Sequence, residues 1–273
     1  MQVMICELHG EPSELKESHI IPKFVFKWMK KTGTTRLRQL KNINVPIQDG
    51  IKKHMLCQNC ENLFSIHEKW FCEKIFLPFL KDNSLNIQNT ENLKYFIISI
   101  LWRVVKYFKD DGNKYNFKSD LDRAENIWKN YLLHDNIVSE YENIHLILVD
   151  NSNFPNKETD LYFSRAVDID IAENENMCFV YAKFSKFILI GEIKGFENNS
   201  FEKTNISLEK KFSSSNQIIN DTTVFDFFKN RINQTKSYSD LSESQKKKNN
   251  EYHKNKYQNY TGGEYLKILN KHK

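Results

Sequence analysis

The pattern of hydrophobic and polar positions predicts helices in the first half of the chain. Apolar residues recur every three or four positions over 92–108 (NLKYFIISILWRVVKYF) and again over 118–133, which is the spacing of a helix with a buried face. The basic segment KFVFKWMKK near the N-terminus has the same spacing. The predicted helices cover 23–31, 57–79 with a break near Pro78, 92–108 and 118–133.

The second half of the chain changes to runs of β-branched and aromatic residues. Asn, Asp, Glu, Pro and Gly separate these runs, which is typical of strands joined by turns. Strands are predicted over 18–22, 144–149, 162–168, 177–184 and 187–193, the last four in an antiparallel sheet. Helices follow over 223–232 and 237–260, and a hinge at 261–263 precedes a last short helix. The pattern therefore indicates an α+β fold.

The distribution of charge divides the chain into three segments. The net charge of +5 separates into +4 over 1–80 (12 Lys/Arg against 8 Asp/Glu), −6 over 81–228 (17 against 23) and +7 over 229–273 (11 against 4). We therefore predict an N-terminal module at 1–80, an α+β domain at 81–228 and a basic helical tail at 229–273. The basic ends favour an anionic partner, nucleic acid first, although a lysine-rich tail is more often merely solvated.

The cysteines favour a reducing compartment. There are five of them, an odd number, and three have metal-ligand spacings, which argues against a secreted disulfide framework. The chain does not begin with a basic region followed by a long apolar run, so no signal peptide is predicted. The longest apolar stretch, near 95–105, contains Arg103 and is too short to span a bilayer. We expect a cytoplasmic protein with no membrane partner.

Two pairs of residues have the spacing of metal ligands. Cys57 and Cys60 form a CxxC pair, and Cys6 and His9 form a CxxH pair. Four soft or borderline ligands in two tight pairs favour a tetrahedral Zn²⁺ site. The alternative is that the two pairs are unrelated to each other. A shared ion would bring the extended segment that carries His19 beside the helix that begins at the second pair.

The N-terminal quarter of the chain resembles the HNH (ββα-metal, treble-clef) nucleases. The resemblance is carried by CELH at 6–9, SHIIP at 18–22 and LCQNCE at 56–61. The chain is also similar to a group of uncharacterised bacterial proteins that have an SHIIPKF strand. The HNH resemblance implies an N-terminal zinc-bound treble-clef ββα module. Beyond about residue 80 the resemblance assigns nothing, and there the hydrophobic pattern predicts a helical middle, a mainly antiparallel sheet and C-terminal helices. Nucleases of this kind in bacteria often serve bacterial defence or mobile genetic elements, and the resemblance implies such a role.

This resemblance implies a phosphodiester hydrolase and gives its residues expected roles. His19 is expected to be the general base that activates water. A catalytic Mg²⁺ or Mn²⁺ is expected to stabilise the charge on the phosphate, with Glu61 as a catalytic residue and metal ligand on the helix. Ser18 and His67 are further expected ligands of that ion, and Zn²⁺ is expected to be structural.

Two positions depart from the pattern of that family. Ser18 stands where Asp or His commonly binds the catalytic ion, and Lys52 stands where a loop asparagine is often found. Glu61, Ser65 and Glu68 would share one face of a helix. The candidates to replace the missing ligands are Asp49, His54, His67 and Glu68. The altered ligand set is compatible with a variant site or with an inactive one.

Three further residues have expected structural roles. Arg103 lies in the most apolar helix and is expected to form a buried ion pair with an acid such as Asp168 or Asp170. Cys72 and Cys178 are expected to be ordinary packing residues.

The expected partner is nucleic acid, DNA ahead of RNA, and a homodimer or a regulatory protein partner is compatible with the chain. The residues expected to contact phosphates are Lys23, Lys27, Lys30, Lys31, Arg36 and Arg38. The alternative function is a non-catalytic zinc-stapled module that binds nucleic acid or protein. A third possibility places the function in the residues beyond 80, as a ligand sensor or a docking domain.

Overall fold

The structure is a computed structural model with a mixed α+β architecture. It describes residues 4–33, 36–38, 42–110, 112, 114–134, 140–150, 154–206, 211–234, 240–256 and 263–272. The chain folds into two compact units that are each assembled from separate segments. Unit 1 comprises 1–20, 51–150 and 167–221, and unit 2 comprises 21–50, 151–166 and 222–273. This division differs from the three consecutive segments suggested by the charge distribution.

The helices follow the predicted hydrophobic spacing closely in the middle of the chain. They are α1 (Lys23–Thr32), α2 (Gln58–Phe71), α3 (Leu77–Asp82), α4 (Glu91–Asp110), α5 (Lys118–His134), α6 (Lys157–Arg165), α7 (Thr222–Asn233), α8 (Glu243–Lys256) and α9 (Glu264–Lys271). The predicted helices at 23–31, 92–108, 118–133 and 223–232 are confirmed to within two residues. The predicted helix at 237–260 is observed in part, as α8, which begins at Glu243. Residues 237–239 and 257–260 of this prediction lie outside the described part, as do 261 and 262 of the predicted hinge.

The strands are short outside one sheet. They are β1 (Met4–Ile5), β2 (Pro12–Ser13), β3 (Leu15–His19), β4 (Leu37–Arg38), β5 (Pro46–Ile47), β6 (Lys52–Cys57), β7 (Asn86–Ile87), β8 (Ile144–Leu148), β9 (Val167–Glu173), β10 (Cys178–Phe184), β11 (Phe187–Lys194), β12 (Phe201–Glu202), β13 (Phe212–Ser213) and β14 (Ile218–Ile219). The predicted antiparallel sheet is confirmed: β8, β11, β10 and β9 lie side by side in that order, and every neighbouring pair is antiparallel.

Two predicted strands differ from the structure. The strand expected at 18–22 is observed further upstream as β3, which ends at His19. Residues 162–168 were expected to be β because of their aromatic and apolar content, but most of this segment belongs to helix α6. The Asn156 side chain caps the helix by accepting a hydrogen bond from the Thr159 amide at 2.8 Å. Glu158 and Asp160 lie in the first turn, where the helix dipole favours negative charge. The capping signal outweighs the local β propensity, and the strand β9 begins only at Val167.

The predicted break near Pro78 is also wrong in position. Pro78 lies in the first turn of α3, where a missing backbone N–H costs nothing. The irregularity occurs upstream, where Cys72–Phe76 form a π-helical segment that connects α2 to α3. Wider i→i+5 hydrogen bonding lets the helical path continue into the proline-containing turn.

The core of unit 1 lies between the sheet and α4. Twelve residues of α4 are buried, and the helix packs on β9, β10 and β11. The ring of Phe71 stacks on that of Phe96 with centroids 3.8 Å apart and meets Phe184 and Phe187 edge-on. Burial of such large apolar side chains is the dominant favourable term in folding.

Unit 2 has its own smaller core. Phe26, Tyr162 and Phe228 are buried, and Phe163 meets Phe228 edge-on at 6.1 Å. The buried Asp160 accepts a hydrogen bond from Ser164 at 2.9 Å. It also contacts Lys271 and His272, at 3.1 Å each, and these contacts attach α9 to α6. Within the described ranges, every helix is too short or too polar to cross a lipid bilayer.

Candidate metal centre and histidine strand

The first ligand pair lies in a tight turn between β1 and β2. These strands pair antiparallel, and the Gly10 amide donates to the Cys6 carbonyl at 2.8 Å. Gly10 has a φ of +85°, a left-handed conformation that glycine adopts without a steric cost. The turn thereby places Cys6 and His9 on the same side, and the Glu7 amide donates to the Met55 carbonyl of β6 at 3.0 Å.

The second ligand pair lies where β6 ends and α2 begins. Cys57 is the last residue of β6 and the N-cap of α2, and Cys60 is in the first turn of that helix. β6 pairs antiparallel with β3, and Leu15 lies opposite Cys57. The turn that carries Cys6 and His9, the β3–β6 strand pair and the N-terminus of α2 therefore meet at one point.

The four side chains are close enough to hold a metal ion. The ligand atoms of Cys6, His9, Cys57 and Cys60 all lie within 4.8 Å of one another. The Sγ atoms of Cys6 and Cys60 are 3.8 Å apart, and His9 Nε2 is 3.2 Å from Cys57 Sγ. A tetrahedral zinc site has S···S edges of about 3.8 Å and N···S edges of about 3.6 Å, given its usual bond lengths. The geometry is compatible with a structural zinc, and the prediction that the two pairs meet is confirmed.

The electrostatics of the cluster also suit a cation. Burial tends to raise the pKa of Cys57, but hydrogen bonds from the Cys60 backbone amide, from His9 and from the Asn59 amide lower it to about 7. Burial and the neighbouring Cys6 raise the pKa of Cys60 well above its ordinary value. Thiolates packed this closely are stable together when a divalent cation neutralises them.

Salt bridges attach the cluster to the rest of unit 1. Glu7, next to Cys6, pairs with Lys106 of α4 at 2.5 Å. Lys106 also lies 3.3 Å from Glu125 of α5, and Glu125 pairs with Lys109 of α4. The ligand turn is therefore connected through a partly buried ion-pair network to both long helices.

His19 is the last residue of β3, opposite Lys52 of β6. Its neighbour Ser18 is fully buried, and the Ser18 hydroxyl accepts a hydrogen bond from the Leu56 amide at 3.2 Å. This bond lies beside the register shift between Lys16 and Glu17, where the strand pair is irregular. The structure thus gives Ser18 a contact inside the strand pair and no exposed surface.

Arg103 joins β3, the strand that ends at His19, to α2. Its Nη1 donates to the His19 carbonyl at 2.7 Å and to Glu68 Oε1 at 2.9 Å, and its Nε donates to the Ser99 carbonyl at 3.0 Å. The expected buried ion pair of Arg103 is confirmed, but the acid is Glu68 and not Asp168 or Asp170. Residues four positions apart in a helix, such as Ser99 and Arg103, lie on one face, and this face is directed at α2.

Glu68 has a perturbed ionisation. Burial raises the pKa of its carboxyl, and the charges of Arg103 and His19 oppose that rise. Glu61, on the same side of α2, contributes repulsion. His19 and Glu61 are therefore each within electrostatic reach of Glu68.

His67 lies elsewhere on α2. Its ring stacks on Tyr95 of α4 with centroids 3.8 Å apart and an interplanar angle of 19°. His67 is about 100° around the helix axis from its neighbour Glu68, given 3.6 residues per turn. In the described part of the chain, the Cys/His cluster is the single group of three or more possible ligands that are close enough to hold a metal ion.

Comparisons of this chain with protein families, curated proteins and solved structures return no match. The assignment of function therefore depends on the site itself. The approach of Arg103 to the His19 carbonyl was missed at the sequence level. The available signal was a charged residue inside an otherwise apolar helix, which indicates a buried partner without identifying it.

Proposed function

We propose that the chain is a metal-dependent HNH-type endonuclease with a zinc-stapled treble-clef module. The observation that carries this proposal is the order of elements around the metal cluster. A ligand turn, a strand ending in His19, a paired strand ending in Cys57 and a helix starting at the second ligand pair follow one another. This is the arrangement that the HNH resemblance implies.

In this proposal His19 is the general base. An imidazole removes a proton from water, and the resulting hydroxide attacks the phosphodiester, a role that is commonly worth a factor of about 10² to 10⁴ in rate. Arg103 is a positioning residue, because its hydrogen bond to the His19 carbonyl fixes the end of β3 relative to α2. Glu68 in turn holds the Arg103 guanidinium.

A divalent Mg²⁺ or Mn²⁺ would stabilise the charge that develops on the phosphate. Of the residues that the resemblance assigns to this ion, Glu61 is the partly exposed carboxylate, and it lies in the first turn of α2 directly after Cys60. Glu68 is already paired with Arg103, Ser18 is buried, and His67 stacks on Tyr95. Glu61 is therefore the residue proposed to hold the ion.

The test is cleavage of plasmid DNA, single-stranded DNA and RNA by the full chain with Mg²⁺, Mn²⁺ or EDTA. We expect His19→Ala to reduce the cleavage rate at least about 100-fold because the base is lost. Elemental analysis should show the same zinc content as the wild type. The matched control is His134→Ala, since His134 is an exposed histidine at the end of α5. Equal cleavage by both variants would remove His19 from the mechanism.

The competing function is a zinc-stapled module that binds nucleic acid without cutting it. The burial of Ser18 and the lack of a second ligand group among the described residues favour this alternative. Salt-sensitive binding by the wild type, combined with no cleavage of any of the three substrates under any of the ion conditions, would establish it in place of the nuclease.

A further inference from the structure

The fold separates charge between the two units. Unit 2 contains 20 Lys/Arg against 8 Asp/Glu, a net charge of +12, and unit 1 contains 20 against 27, a net charge of −7. The basic N-terminal stretch and the basic C-terminal tail, far apart in sequence, belong to the same compact unit. Concentration of one sign of charge raises the local concentration of oppositely charged partners.

Helix α1 supplies one part of this charge. Lys23 and Lys27 are exposed and four residues apart, so that they project from the same face. Val25 and Phe26 are buried on the other side of the helix. Phe26 also lies against Gly50, where an added Cβ would come within 2.2 Å of the ring. Glycine at position 50 lets the basic helix pack closely on the segment that follows it.

Helix α8 is docked onto that same segment. Arg38 Nη1 donates to Gln245 Oε1 at 3.2 Å, and Arg38 Nη2 donates to Asn249 Oδ1 at 2.9 Å. The Ser242 amide donates to Asn44 Oδ1 at 2.9 Å just before the helix begins. These polar contacts fix one side of α8.

The docked position of α8 argues against the alternative that the basic tail is merely solvated. Asn249 is only 2% exposed, although α8 has a strongly polar sequence. Lys247 and Lys248, beside it in the helix, are exposed. The Arg36 guanidinium lies over the Tyr252 ring, 5.0 Å from its centroid, and is exposed as well. The docked helix thus keeps Lys247 and Lys248 exposed, with Glu243 and Glu251 as the exposed acids of the same helix.

We propose that unit 2 binds the phosphodiester backbone of a nucleic acid with the exposed cations of both helices, Lys23 and Lys27 of α1 and Lys247 and Lys248 of α8. This deepens the proposed nuclease function and rests on it for the identity of the partner. Phosphate contacts release condensed counterions, and each contact adds about 0.9 to the slope of log affinity against log salt for duplex DNA. Lysine ammonium groups are suited to such sequence-independent contacts.

The experiment measures binding of a fluorescent 30-base-pair DNA and of an RNA duplex of equal length by anisotropy, in EDTA, between about 50 and 200 mM salt. The variants are Lys23→Gln with Lys27→Gln, Lys247→Gln with Lys248→Gln, and all four together. The matched control is Lys81→Gln with Lys118→Gln, which removes two exposed lysines from unit 1. Vesicles of phosphatidylcholine with phosphatidylserine test an anionic surface of a different kind.

Each pair is expected to reduce the slope by about 1.8 and the four substitutions together by about 3.6, because two and four contacts are lost. The control should leave the slope unchanged. An unchanged slope for either basic pair, or binding to the vesicles without binding to DNA or RNA, would overturn the proposal.

The two proposals fail in different ways. His19→Ala should retain wild-type binding, since His19 contributes no cation to unit 2. Binding with the predicted slopes but without cleavage by the wild type would leave unit 2 as a binding unit and remove the nuclease. Cleavage by the wild type, combined with unchanged salt slopes in the lysine variants, would support the nuclease and remove unit 2 as the binding unit.

Discussion

Arg103 lies in the most apolar helix of the chain, and its guanidinium is 3% exposed. A buried cation is costly unless it is paired and hydrogen-bonded. Arg103 meets that condition with one carboxylate, two backbone carbonyls and the Ser99 hydroxyl at 3.4 Å. At the residue scale, the buried Arg103 of α4 therefore fixes the positions of β3 and α2 relative to α4 through its hydrogen bonds to His19 and Glu68.

Lys183 is a second buried cation at this scale, and it has a testable effect on stability. It is fully buried in β10, and Nζ donates to the Ser185 carbonyl at 2.7 Å. Burial lowers the pKa of Lys183 to about 7, against the opposing charge of Asp168. Because the unfolded chain keeps this proton up to about pH 10.4, it binds more protons than the folded chain above pH 7.

The free energy of unfolding should therefore rise with pH between 7 and 9 by about 2 kcal/mol through Lys183 alone. Lys183→Met should remove that rise and stabilise the protein most at pH 7. Urea denaturation of the wild type and the variant at pH 7 and 9 measures the difference. Lys194→Met, at an exposed position, is the control. An identical pH dependence in wild type and Lys183→Met would contradict the assignment.

At the element scale, α8 shows how a polar helix acquires a fixed position. Its sequence has almost no apolar stripe, so the hydrophobic effect contributes little to its docking. The helix is held instead by hydrogen bonds from the charged Arg38 to Gln245 and Asn249. A hydrogen bond that involves a charged group contributes about 1.5 to 3 kcal/mol to stability. The helix is expected to be the least protected large element of unit 2.

Arg38→Met should release α8 from its docking site. We expect the amides of 243–256 to exchange with deuterium at least about tenfold faster, since more than 1 kcal/mol of local stability is lost. Exchange in α4 serves as the internal reference. Arg36→Met is the matched control, because an exposed cation–π contact is worth only about 0.5 to 1 kcal/mol. Equal exchange in both variants would show that Arg38 does not hold the helix.

At the scale of the whole molecule, the metal cluster organises unit 1. It joins the start of the chain to the β6–α2 junction, and Glu7 connects it to α4 and α5. A ligand that binds only the folded state stabilises it by RT ln(1 + L/Kd), where L is the concentration of free ligand. Loss of the ion should therefore be felt across unit 1 and not only at the N-terminus.

Cys57→Ser should reduce the zinc content from about one ion per chain to near zero, because a tetrahedral site loses one of four ligands. We expect a Tm lower by about 10 °C, which a strong chelator should reproduce in the wild type. Elemental analysis and calorimetry measure these effects. Cys72→Ser, which lies outside the cluster, should retain the zinc. Full zinc content in Cys57→Ser would show that the ligand set is different.

Features that arise from near neighbours in the chain can be predicted from the order of the residues. The spacing of Cys57 and Cys60 and of Cys6 and His9 follows from the reach of a tight turn around one ion. The helices at 91–110 and 118–134 follow from apolar residues at helical intervals, and the sheet of unit 1 follows from β-branched runs between turn residues. In these cases the physical cause acts within a few residues.

Features that join distant parts of the chain could not be predicted in this way and became visible in the folded protein. Glu68 as the partner of Arg103, and the attachment of α8 to the segment around Arg38, depend on which surfaces meet after the core has formed. The α6 segment shows the same limit locally, since a capping contact outweighed its β propensity. Electrostatic and polar contacts are decided by burial and by distance in space, and neither quantity is contained in the spacing of residues along the sequence.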